Sequence, residues 1–172
     1  MSKITSESSV NNIYKTVIGI DPGSTTIGYG VINYHVKYKK AEVGGYGYID
    51  LRHHKSQEIR LVHLYNDLNE IFDKYKPETI AIENLYFFKN CKTFTAVSQS
   101  KGVILLAAAQ ANLNIVEYTP LQVKQTVSGY GKAKKSLIQK LVSNSLNISS
   151  EIKPDDASDA LAIAICYLNH LT

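Results

Sequence analysis

One long stretch of helical period, Gln57 to Tyr75, lies between apolar runs too short to be anything but strands, and this change of period constrains the fold more than any other feature. Within it the apolar residues Leu61, Leu64, Tyr65, Leu68, Ile71, Phe72 and Tyr75 fall on one side, with Glu58, Arg60, Asp67 and Glu70 on the other. Upstream, Lys15 to Ile20 reads as a buried strand, Thr26 to Tyr34 as a second with Gly28 and Gly30 in it, and Val43 to Leu51 as a third. Their short separations suit an antiparallel meander. Downstream, Pro77 ends the helix and Thr79 to Glu83 forms a compact strand.

The remainder continues the alternation. Phe94 to Ala111 reads as a buried helix and Asn114 to Tyr118 as a strand. Thr119 followed by Pro120 has the form of an N-cap with proline at the first helical position, opening a short helix that stops at Gly129. After the Gly129-Tyr130-Gly131 loop, a helix runs from about Ala133 to Leu146. The last helix begins near Asp155, read as its cap, and buries Ala157, Ala160, Leu161, Ala164, Ile165 and Leu168. The expected architecture is α/β: a five-stranded mixed sheet flanked by helices, forming a single domain over residues 15–172 after a flexible polar extension over 1–14.

A chain of 172 residues that is 44% hydrophobic and 20% charged can bury one substantial core and is not of disordered composition. Its longest apolar run, Val103 to Ala109, falls far short of the roughly 20 residues a membrane-spanning helix needs. Cys91 and Cys166 stand apart, which indicates neither a disulfide framework nor a zinc knuckle and suits a reducing, cytoplasmic setting. His35, His53, His54, His63 and His170 form no ligand spacing, and His53-His54 reads as a turn.

Chemistry is carried by acids at element ends. Asp21 closes the first strand and Glu83 the fourth; if those strands are neighbours, the two carboxylates meet. Asp156 and Asp159, three apart at the start of the last helix, leave it from nearly the same face. Turns favour an acid such as Asp21 and the helix dipole acids such as Asp156 and Asp159, whereas Glu83 leaves a buried strand and is followed by aromatics rather than a polar turn. Converging, the four acids would repel one another unless hard cations neutralise them, which predicts Mg²⁺ with Mn²⁺ as substitute. Two ions about 4 Å apart would serve phosphodiester hydrolysis without a side-chain nucleophile. The net charge of +4 permits a polyanionic partner, and Lys124, Lys132, Lys134, Lys135 and Lys140 crowd one stretch.

Taken together, Ile18-Gly-Ile-Asp-Pro-Gly-Ser24, Gly28-Tyr-Gly-Val31, Ala81-Ile-Glu83, Gln122-Val-Lys-Gln-Thr-Val127 and Asp156-Ala-Ser-Asp-Ala-Leu-Ala-Ile-Ala164 resemble the RuvC family of bacterial Holliday-junction resolvases, over about Val17 to Tyr167. The resemblance implies a ribonuclease H-like fold and a homodimer. It also implies Mg²⁺-dependent paired nicking of four-way DNA junctions in recombination and repair, with two ions per site and a branch-migration helicase as a candidate partner. Asp21, Glu83, Asp156 and Asp159 fall on that family's metal-binding carboxylates, and Lys124 and Lys135 on two lysines near the scissile phosphate. Tyr86 falls where an aromatic residue inserts near the junction centre, and Lys89 where a basic residue contacts DNA; Lys132 and Lys134 are further candidate DNA contacts. Rival readings are a ribonuclease on the same scaffold, a phosphate-binding domain built on Asp21-Pro-Gly-Ser-Thr25, and a junction-binding protein without catalysis.

Overall fold

The computed structural model describes residues 14–84 and 91–171. Its elements follow the order β1 (Tyr14–Asp21), β2 (Thr26–His35), β3 (Lys40–Asp50), α1 (Gln57–Tyr75), β4 (Thr79–Glu83), α2 (Cys91–Gln110), β5 (Asn114–Tyr118), α3 (Pro120–Ser128), α4 (Lys135–Ser145) and α5 (Asp155–His170). The strands form one sheet in the order β3-β2-β1-β4-β5. β1 pairs antiparallel with β2, as β2 does with β3, whereas β4 pairs parallel with both β1 and β5.

Local chemistry accounts for the element ends. Ser56 caps α1 by accepting from the Ile59 N–H at 3.3 Å, and the helix closes on Lys76, whose left-handed backbone (φ 47°) donates to the Phe72 carbonyl. Thr119 and Gln122 form a reciprocal capping box on α3, with Pro120 at its first position and left-handed Gly129 at its C-cap. Gln122 of the Gln-Val-Lys-Gln motif thus holds a helix terminus. Asp155 is not the cap of α5; Pro154 occupies that place, and Asp155 stands in the first turn. Strand β3 begins at Lys40 rather than Val43, because its ladder with β2 continues through a bulge beyond Val31 to the His35–Lys40 pair.

The period-two alternation of β1 divides the interior in two. Ile18 and Ile20 join Ile80, Ile82, Leu64, Leu68, Phe72 and Ile104 beneath α1 and α2. On the other face Val17 and Ala81 meet α5, which α3 and α4 cover in turn. α5 is therefore enclosed from both sides, and every residue from Ala157 to Leu168 except Asp159 is buried. The residues that the sequence marks as buried, Ala157, Ala160, Leu161, Ala164, Ile165 and Leu168, are thus only part of the buried set, because a middle-layer helix must be apolar nearly all round.

Glycine sets how closely α5 lies on the sheet. A Cβ at Gly28 would stand 2.0 Å from the Asp156 carbonyl oxygen, and one at Gly19 2.0 Å from that of Ala160. Only residues without side chains let the helix backbone descend so far, and this descent brings the start of α5 over the ends of β1 and β2. Among the described residues, no helix is long and apolar enough to cross a membrane.

Candidate active site

Strand register explains why the two strand-end acids meet. Ile20 of β1 pairs with Ile82 of β4, so Asp21 and Glu83 follow side by side at the same end of parallel strands. Alternation then turns both toward α5, since their neighbours of like parity, Gly19 and Ala81, lie on that face. Asp159 comes down from α5 into the same place. The three carboxylates line a cavity of about 320 Å³ together with Lys124, Lys135, Pro120, Val123 and Ile138. Asp156 lies outside that lining, its backbone packed on Gly28, but close enough to act on Asp21 electrostatically.

Charge in this cavity is poorly compensated. Burial, reinforced by Glu83, Asp159 and Asp156 and opposed by Lys135, pushes the Asp21 carboxyl up to about 8. Glu83 is also raised, by burial and then by Asp159, against the pull of Lys124 and Lys135. Burial raises Asp156 as well. Partial burial and mutual repulsion thus disfavour the ionised forms of these groups, which is the condition a bound divalent cation relieves. The all-oxygen donor set suits Mg²⁺ or Mn²⁺.

The acids do not form a ready cage. Among the described residues, no group of three or more His, Cys, Asp or Glu side chains is placed to hold a metal ion. One reason is visible in Lys135, whose Nζ lies 2.8 Å from Asp159 and 3.2 Å from Asp155. Asp155 also accepts from Gln139 at 2.8 Å. This role of Asp155 was missed in the sequence, although its spacing of four from Asp159 places both on one helical face, where a lysine can bridge them.

The other predicted contacts divide. Lys124 lines the cavity from α3. Lys132 and Lys134 are exposed on the approach to α4, outside the lining. Tyr86 and Lys89 lie outside the described residues. Tyr130 is 61% exposed, on a loop that Ser128 ties by accepting from the Tyr130 N–H and donating to its carbonyl. The His53-His54 turn carries no cluster: His53 faces Asp50 at 3.7 Å and His54 stacks on His63.

A family model described as crossover junction endodeoxyribonuclease RuvC matches residues 17–167. The chain belongs to the RuvC family. A crossover junction endodeoxyribonuclease RuvC of Fusobacterium nucleatum is 49% identical over 155 residues, covering 90% of this chain and 80% of that one. Two Thermus thermophilus RuvC structures superpose on this family member. The first has a TM-score of 0.82 at 29% identity, covering 91% of this chain and 95% of the other. The second, in complex with a Holliday junction substrate, has a TM-score of 0.81 at 26% identity, covering 91% and 94%. The fold of this RuvC chain is thus ribonuclease H-like, and the carboxylate cavity lies within the matched span.

Proposed function

We propose that this chain is a metal-dependent endonuclease that cuts four-way DNA junctions by paired symmetric nicks. The observation that carries the reading is the meeting of Asp21, Glu83 and Asp159 in one cavity beside Lys124 and Lys135, in a member of a family named for crossover junction cleavage. The Thermus relative solved with a Holliday junction substrate supports the same substrate class.

Asp21, Glu83, Asp156 and Asp159 would hold two Mg²⁺ ions, with Mn²⁺ able to replace them. When bound, the ions supply Lewis acidity at the phosphodiester. Lys124 offers a cation at the cavity wall that attracts and orients a phosphate. Lys135, shared between Asp155 and Asp159, is a cation that an incoming phosphate can draw away, which would release Asp159 for the ions. The basic stretch Lys132, Lys134 and Lys140 supplies attraction from outside a pocket whose acids would repel DNA, and Tyr86 and Lys89 would engage the junction near its centre.

Paired cuts need two sites, hence a homodimer. The outer face of α2 supports one: Thr95, Gln99, Gly102, Leu106 and Ala109 recur every three to four residues along it and are all exposed. Association with a branch-migration helicase rests on the family resemblance alone. The deciding experiment incubates the protein with a synthetic four-way junction, with and without Mg²⁺, and maps both nicks at nucleotide resolution. Symmetric cuts that require the metal are expected; an uncut junction, or preferential cleavage of RNA, would overturn the reading.

A further inference from the structure

Behind Glu83, on the opposite face of the sheet from the cavity, a second polar cluster joins three elements. Lys101 of α2 donates to Glu117 of β5 and, at 3.2 Å, to the side-chain carbonyl of Asn84, the residue after Glu83. The Asn84 N–H in turn donates to the Tyr118 carbonyl at 2.7 Å. The backbone leaving Glu83 is therefore held twice, once by β5 and once by a lysine from α2.

The register shows why the cluster bears on the site. Ile82 pairs with Glu117 and Glu83 with Tyr118, so Glu117 points to the α2 side while Glu83 points to the cavity. The Lys101 side chain is only 12% exposed and that of Glu117 35%, so the lysine end of the pair is withdrawn from water while the glutamate stays partly in it. Beside Lys101 on α2, Ser100 and Ile104 are both fully buried. An ion pair so placed adds little net stability, because withdrawing the charges from water offsets most of their attraction, and apolar residues would pack the spot as well. What it adds is a fixed position for the strand end.

We infer that Lys101, with Glu117 and Asn84, is a positioning device that sets where Glu83 stands at the end of β4, and so the metal affinity of the cavity across the sheet. The inference rests on the reading of Glu83 as a metal ligand. Small displacements of such a group are costly, with an error of about 1 Å able to reduce turnover on the order of 100-fold.

The test uses Lys101→Met, Lys101→Arg and the double variant Lys101→Met/Glu117→Gln in the full-length protein. Melting is followed during Mg²⁺ titration without DNA, and junction cleavage is measured in parallel. Lys101→Met leaves Glu117 unpaired and will be less stable; the double variant removes that stranded charge and should regain stability. If Lys101 positions Glu83, the double variant still needs roughly 10-fold more Mg²⁺ for half-maximal stabilisation and cuts at least about 10-fold more slowly. Lys101→Arg, which keeps donors for both acceptors, should restore both readouts. A double variant with wild-type Mg²⁺ response and cutting would overturn the inference, leaving the pair only a structural contact. If the wild type itself leaves the junction uncut, the nuclease reading fails, while the Mg²⁺ titration still decides the role of Lys101.

Discussion

Replacing Asp21 by Asn should make the metal-free protein more stable, and the gain should grow with pH. In the folded chain the Asp21 carboxyl is pushed from 3.8 up to about 8, first by burial and then by Glu83, Asp159 and Asp156. Folding therefore favours the protonated form. The group's contribution is most favourable below its unfolded value of 3.8 and is lost as pH rises through about 8. The whole interval corresponds to on the order of 5 kcal/mol, of which about 4 is felt at pH 7 and less than about 2 at pH 5. Asparagine has nearly the same shape and no charge to bury, so it escapes this penalty. The assay is urea unfolding of both proteins in EDTA at pH 5, 7 and 8. The variant should exceed the wild type by an amount that widens with pH, up to about 4 kcal/mol at pH 7. Excess Mg²⁺ should then narrow the difference at pH 8 by about half, since a ligand at 100 times its Kd contributes about 2.7 kcal/mol to the form that binds it. Equal stabilities with parallel pH profiles would refute the claim that Asp21 is held uncompensated among its neighbours. The same substitution should abolish junction cutting while sparing junction binding.

Three further outcomes follow from the structure. Gly28→Ala sets a methyl against the Asp156 backbone and should cost about 1 to 3 kcal/mol or more in urea unfolding, with weaker Mg²⁺ stabilisation because α5 must lift; an unchanged unfolding midpoint and Mg²⁺ response would contradict the close approach. Lys124→Met should weaken junction binding and reduce the slope of log affinity against log salt by about 1, read by fluorescence anisotropy; an unchanged slope would mean that Lys124 touches no phosphate. Thr119→Ala removes half of the α3 capping box and should cost roughly 1 kcal/mol without changing the Mg²⁺ requirement, since it carries no ligand; a shifted requirement would place the cap in the site.

Much of this molecule was legible because its signals are local. The helical period of Gln57–Tyr75, the compact strands Thr79–Glu83 and Asn114–Tyr118, and the Thr119-Pro120 start need only neighbouring residues to be read, and each element ends where the chain marks it. The four acids were also visible, as carboxylates closing apolar runs or opening a helix. Lys135 was found through family resemblance, but its partners were not, because Asp155 looked like a cap and the bridge spans twenty residues. Lys101, Glu117 and Asn84 carried no signal at all: an isolated lysine in an apolar helix and a glutamate in a strand read as solvated groups until the elements are packed.

What the amino-acid order determined was thus the set of elements and the chemical character of their ends, since hydrophobic period, capping and turn residues act over a few positions. Tertiary structure decided which ends meet. The parallel pairing of β1 with β4 put Asp21 beside Glu83, and glycines at positions 19 and 28 let α5 sink until Asp159 joined them. Those encounters depend on backbone pairing and close packing between residues far apart in the chain, where the free energy resides in the assembled whole rather than in any segment of it.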